Sequence, residues 1–352
     1  MNKYTRSIHS SSEMVEPVTL STWRASHWPL LSLLLIATVL IGLSVGRYSV
    51  ALDEIVAILY AALRGDNSQH MDALVILNVR LPRILLAGVC GAGLAICGVA
   101  LQTLFRNPLV SPKVLGLSSG SALGGSLAIL AGVGGPLLMG ATFVSAFAAL
   151  FLVVLISNMA GRTLMTIVLA GIVIDALFAA GISLVQYAAD PETSLPAIVF
   201  WLMGSFATAS WEKFAQTAPI LIASIYLLNR MRYRIAVLAM GDDEAKSFGI
   251  HVARSRMVVF ALISIIIGAC VTASGVVGWV GLVIPHFARM LVGEDHRRLY
   301  FTSLMLGATF MILTDTLARS LTAAEIPLGV LTALVGAPVF VYLLCTRRRE
   351  RA

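Results

Sequence analysis

Long stretches without Asp, Glu, Lys or Arg, separated by short polar segments, fill most of this chain. An α-helix rises 1.5 Å per residue, so about 20 apolar residues are needed to cross the hydrocarbon core of a bilayer. Residues 25–46 and 84–105 each make one span on that criterion. Residues 114–161 form a 48-residue uncharged run, too long for one helix, and Gly132-Val133-Gly134-Gly135-Pro136 supplies a turn that divides it in two. Residues 163–189, interrupted only by Asp175, add a fifth span, and the shorter 214–229 a sixth. Residues 257–275, the glycine-interrupted 277–292, 299–319 and 326–346 bring the total to ten.

Residues 193–211 are also long enough to cross, but they carry Pro196, Trp201, Gly204 and Trp211 and follow Pro191. Tryptophan favours the water–lipid interface. The charge count decides against a span here. With ten spans and the N-terminus inside, the cytoplasmic segments hold 18 of the 25 Lys and Arg, and the external segments hold five: Arg47, Arg64, Arg80, Arg83 and Lys213. An eleventh span would carry the six basic residues from Arg230 to Arg256 outside, against the positive-inside rule. The expectation is an all-α, polytopic membrane protein with ten transmembrane helices and both termini cytoplasmic.

Composition agrees and closes other routes. Of 352 residues, 58% are hydrophobic and 12% charged, and mean hydropathy is +0.90. Soluble domains are about 25% charged, and a soluble chain this apolar would expose patches that monomers do not tolerate. That excludes a soluble enzyme, a nucleic-acid binder and a disordered chain. The formal net charge of +7 sits in short clusters between apolar runs, as in membrane-protein loops. Cys90, Cys97, Cys270 and Cys345 lie inside apolar segments without C-x-x-C spacing and read as packing residues. Residues 1–28 are polar and rich in Ser and Thr, lack the pattern of a secretory signal, and read as a disordered cytoplasmic tail. Residues 347–352 read as a basic cytoplasmic tail, which leaves 29–346 as the transmembrane domain.

Small residues recur at helical spacing. Gly88, Gly91, Gly93 and Gly98 crowd the second span, and Gly116, Gly120 and Gly124 repeat at every fourth position of the third. Such spacing lets helix backbones approach closely, or lines a pathway with small groups. Ionisable groups inside a membrane are costly and are functional candidates. Asp175 sits mid-span, and Asp315 and Arg319 are four apart and can pair on one helix face. His286 and His296 suggest no third ligand, so no metal site is expected.

The longest cytoplasmic loop runs from about Arg230 to Arg256, and within it residues 240–250 read as a short helix. Asp242 and Asp243 suit its N-terminus, where the helix dipole favours negative charge, and Gly249 suits its stop. One absence matters. The lysines Lys3, Lys113, Lys213 and Lys246 follow Asn, Pro, Glu and Ala, so no Gly-Lys exists and no Walker A loop can form. Any ATP would be bound by another subunit. No G-x-S-x-G or H-E-x-x-H constellation is present either, so no enzyme is expected in this chain.

Val79-Arg80-Leu81-Pro82-Arg83-Ile84-Leu85, Asn107-Pro108-Leu109 and Gly116-Leu117-Ser118-Ser119-Gly120 resemble the FecCD-type permeases. So do Gly278-Trp279-Val280-Gly281-Leu282-Val283-Ile284-Pro285-His286, Asp295-His296-Arg297 and the run from Ile326-Pro327-Leu328-Gly329 to Gly336-Ala337-Pro338. These are the membrane subunits of ABC importers for iron–siderophores, haem and cobalamin. The resemblance, from about residue 79 to 343, implies a type II importer architecture in the bacterial inner membrane. It also implies a dimer with a second copy, lipid around it, two cytoplasmic ATPases that hold ATP and Mg, and a periplasmic binding protein. No cofactor on this chain and no nucleic-acid partner are implied. Arg80, Arg83 and Arg319 correspond to the family's external arginines that meet glutamates of the binding protein, with Asp315 competing for Arg319. The 241–250 helix corresponds to the coupling element on the ATPase, through Gly241, Asp243, Glu244, Ala245 and Gly249. Asn107 and Leu109 fall where the family narrows its pathway, and a second constriction maps approximately to Thr163–Thr166. The rival from residues alone is a proton-coupled secondary transporter using Asp175 and Asp315.

Overall fold

The computed structural model describes residues 27–65, 70–161 and 163–349. Most of the expected tail at 1–28 lies outside them, as does 350–352. Among the described residues every regular element is helical. The chain opens with α1 (His27–Ser44), followed by α2 (Leu52–Leu63) and α3 (Met71–Leu74). A π-helical segment, Val75–Arg80, carries α3 without a break into α4 (Leu81–Leu104). A 3-10 turn at Pro112–Leu115 precedes α5 (Leu117–Leu130), and then come α6 (Gly135–Met159), α7 (Leu164–Ala188) and α8 (Ser194–Met203). After α9 (Trp211–Arg230) lie α10 (Arg232–Met240) and α11 (Asp242–Ser247). The last four are α12 (Val252–Ser274), α13 (Val280–Val292), α14 (His296–Ser320) and α15 (Leu328–Arg349).

Each expected span coincides with one helix: α1, α4, α5, α6, α7, α9, α12, α13, α14 and α15. Among the described residues, six helical stretches are long and apolar enough to cross a membrane by themselves: 27–44, 71–104, 135–159, 164–188, 252–274 and 296–320. The 14 residues of α5 and 13 of α13 reach only about 20 Å, so these two go partway. Segment 193–211 holds the ten-residue α8, about 15 Å long and too short to cross. α8 lies over α5, with the Trp201 ring seated where a side chain on Gly125 would stand. Boundaries moved where charge is folded inward. The second span begins at Met71, because Arg80 and Arg83 are satisfied inside the protein, and the seventh begins at Val252.

α4 is apolar on every side and is buried on nearly every side, enclosed by α9, α10, α12, α13 and α14. In contrast, only 22% of α1 and 28% each of α6 and α7 are buried within the chain over their most apolar windows. A helix that is apolar all round needs either protein or lipid about it. Here α4 has protein, whereas α1, α6 and α7 present broad apolar faces outward. The glycines explain how close the wrapping is. A Cβ on Gly91 would stand 2.2 Å from the carbonyl oxygen of Gly307 in α14, and one on Gly98 would stand 1.9 Å from that of Gly281 in α13. A Cβ on Gly124 would meet Ala141 O of α6 at 2.2 Å. At these positions the small-residue stripes are packing surfaces.

Candidate functional site

The candidate residues divide between the two ends of the bundle. The far end is where α1 and α14 finish and α4 begins; the basic end carries the Arg230–Arg256 segment. At the far end, the last carbonyls of α1 have no partner within the helix. Arginines take them. Arg80 donates through Nη1 to the carbonyls of Leu43 and Ser44 and through Nη2 to that of Tyr48, while Arg319 Nη2 donates to Gly42 O. A guanidinium at the negative end of a helix dipole is well placed. The exposed Arg47 reaches across to the Ala323 carbonyl.

Arg83, in the first turn of α4, is held on both edges. Nε and Nη2 donate to the Asp315 carboxylate at 2.8–3.1 Å, and Nη1 and Nη2 donate to Glu325 at 2.8 and 2.9 Å. Arg319 Nε stands 3.8 Å from Asp315. The side chain of Asp315 is 1% exposed and that of Glu325 23%. Arg83 beside it holds the Glu325 carboxyl below the ordinary glutamate range. Asp315 thus does draw on Arg319, as expected, but its main partner is Arg83, from a different helix. Arg80, Arg83 and Arg319 are 5, 7 and 8% exposed, so all three are turned into the protein rather than displayed.

At the basic end, α10 packs on α4 and α14 and carries α11. Gly241, at φ 145°, breaks the two helices apart. Asp242, Asp243 and Glu244 fill the first turn of α11, where the dipole favours them. Arg256 of α12 binds Asp242 and so ties α11 to the bundle. Ala245 is the one buried residue of α11, and its carbonyl accepts from Ile250 N at 3.0 Å. Gly249, at φ 72°, ends the turn in the left-handed region, and nothing crowds it. Glu244 and Asp243 are exposed, Phe248 is 67% exposed, and Asp243 pairs with Lys246 at 2.9 Å. Phe248 thus stands exposed among charges, on a short helix held by the buried Ala245 and the Asp242–Arg256 pair.

Asn107 folds the α4–α5 connection: its Oδ1 accepts from Leu109 N at 2.9 Å. Arg106 just before it adopts φ 49°. Leu109, 51% exposed, projects from this turn. Asp175 accepts a hydrogen bond from Ser119 on α5, and Thr163 caps α7 by accepting from Thr166 N.

The sequence model of the FecCD transport family matches residues 34–346 of this chain. The chain is a member of the FecCD transport family. It is 46% identical over 321 residues to the molybdate import system permease protein MolB of Haemophilus influenzae, covering 91% of this chain and 95% of that one. It is 37% identical over 295 residues to the hemin transport system permease protein HmuU of Yersinia pestis, covering 81% and 88%. A solved ABC transporter of metal-chelate type, in an inward-facing conformation, superposes with a TM-score of 0.81 at 40% identity over 92% of this chain and 100% of that one. This FecCD protein is thus a multi-pass ABC transporter permease.

Two participants escaped the sequence reading. Glu325, the outer partner of Arg83, stands one residue before the last apolar run and reads as a loop charge. Gln102 of α4 donates to the Leu282 carbonyl at 3.2 Å and accepts from Arg289, pinning α4 to α13 next to Asn107. A lone glutamine in an otherwise apolar span was the available signal.

Proposed function

We propose that this chain is the membrane-spanning subunit of an ATP-driven importer of the bacterial inner membrane. Two copies would enclose the pathway, two ATPases would dock on the basic, cytoplasmic end, and a binding protein would deliver cargo at the far, external end. The observation that carries the reading is α11. It projects Phe248, Asp243 and Glu244 while the buried Ala245 and the Asp242–Arg256 pair anchor it, and it rides on α10 and α12, which pack on the buried α4. Closure of the ATPases on bound ATP would push α11 and swing that assembly, opening the two ends in alternation. No covalent step belongs to this chain. Leu109, with Asn107 fixing its turn, would narrow the pathway where two copies approach. The experiment is ATP-dependent uptake in vesicles holding this chain with its ATPase. Ala245→Glu is expected to abolish uptake and ATPase copurification; uptake that survives without any ATPase subunit would sink the reading.

Docking at the far end would be an exchange of carboxylates. Arg83 already holds Asp315 and Glu325, and the half-exposed Glu325 is the one a glutamate of the binding protein can displace. Arg80 and Arg319 would keep the α1 end in place beneath that contact. The proton-coupled alternative loses ground, since Asp315 is locked between two arginines.

The cargo is a metal-containing compound, and two chemistries are open to it. A bulky chelate, such as an iron–siderophore or haem, matches the hemin relative and the metal-chelate transporter. A tetrahedral oxyanion matches the 46% relative, and the higher identity over 91% of the chain favours it. Competition between labelled molybdate, ferric siderophore and hemin for uptake in the native cells separates the two.

A further inference from the structure

Below the far end, α8, α9, the turn between α5 and α6, and the end of α12 enclose a recess of about 660 Å³. Its wall carries Lys213, with Ser205, Thr208, Ser210, Glu212 and Gln216 around it. Lys213 is the one cation on this wall, and its position is costly in three ways. It stands in the first turn of α9, where the helix dipole repels positive charge. It is half-buried at the edge of an apolar bundle. Among the described residues, no carboxylate lies within ion-pair distance of it, although Glu212 is its neighbour in sequence. The Glu212 carboxylate instead accepts from Gln216 Nε2 at 3.2 Å, because adjacent helix positions point about 100° apart.

An ammonium has three N–H donors. One of those on Lys213 reaches Thr208 Oγ1 at 2.8 Å, and the others have no protein partner among the described residues. A partly desolvated, under-bonded ammonium is a candidate for a ligand. We propose that this recess is a waypoint for a tetrahedral oxyanion, held by the Lys213 ammonium with Thr208 and the Gln216 amide as neutral donors. It rests on the oxyanion reading of the cargo. Hydroxyl and amide donors suit an oxyanion that must leave again, since they bind without a second fixed charge.

The test uses the complex of this chain with its ATPase subunits in lipid nanodiscs, titrated calorimetrically with sodium molybdate. Wild type is expected to bind, Lys213→Met to bind at least about tenfold more weakly, and Lys213→Arg to stay within about threefold. Removing an unpaired cation is also expected to raise the melting temperature of Lys213→Met, whereas a structural lysine would lower it. Equal binding by wild type and Lys213→Met, or a lowered melting temperature in the variant, overturns the site while leaving oxyanion cargo standing. Wild type that imports labelled molybdate in cells yet shows no binding in nanodiscs also overturns the site alone. Uptake of hemin or ferric siderophore with none of molybdate overturns the oxyanion reading itself, and the waypoint with it.

Discussion

The arginine cluster at the far end and the α11 helix at the basic end are both rich in charge. They are built on opposite principles. Around Arg83 the charges are buried, bidentate and drawn from α4, α14 and the loop between α14 and α15. Around α11 they are exposed, apart from the largely buried Arg256, and paired within the element or with its nearest neighbour. Removing one partner from a buried pair strands the other, while an exposed pair contributes little. The far end is therefore a joint of the fold. α11, held by Ala245 and the Asp242–Arg256 pair, carries far less structural duty.

That contrast can be broken in order of expected stability loss. Arg83→Met leaves Glu325 without its cation and Asp315 with Arg319 alone, at 3.8 Å, and about 3–5 kcal/mol is expected to be lost, seen as aggregation or a much lower melting temperature in detergent. Adding Asp315→Leu and Glu325→Gln to it should recover most of that loss; no recovery would mean the arginine acts through packing alone. Glu325→Gln alone should cost about 1 kcal/mol, because Asp315 still holds the guanidinium. The same variant should bind the external binding protein more tightly, since the competing carboxylate is gone, and weaker binding would refute the exchange.

Acidification gives a smaller effect with a definite sign. Arg83 depresses the Glu325 pKa, so the stability this contact contributes is present above the ordinary glutamate range and is lost as pH falls through the depressed value. Melting temperatures of wild type and Glu325→Gln should differ at neutral pH and converge in acid. Least costly is Phe248→Ala, expected to change stability by under about 0.5 kcal/mol while uncoupling ATP hydrolysis from uptake. A large drop in its melting temperature would show α11 to be part of the fold's frame.

The spans were legible because a bilayer imposes a length and a polarity that any window of sequence reveals. That 193–211 holds no spanning helix was also legible, through Pro196, Trp201, Gly204 and Trp211 and the charge count. What the sequence hid was pairing. Arg83 meets Glu325 from 242 positions away, and Gln102 meets Leu282 from 180. Neither distance leaves a local pattern. The amphipathic α2 was missed for a related reason: its twelve residues carry Asp53 and Glu54 and fail the span criterion. Likewise Lys213 counted only as an external charge, and its lack of a carboxylate partner emerges only from three-dimensional placement.

The bond between Arg83 and Asp315 joins residues 232 positions apart. At about 5–20 residues per second of synthesis, that is roughly 10–50 s during which the ribosome has made one partner and not the other. For that interval the nascent α4 carries an uncompensated guanidinium and a glycine face awaiting Gly307. It cannot be released into lipid cheaply and must shelter at the insertion machinery or at the water boundary until α14 arrives. Chains that stop before Asp315 should be the ones that membrane quality-control proteases remove.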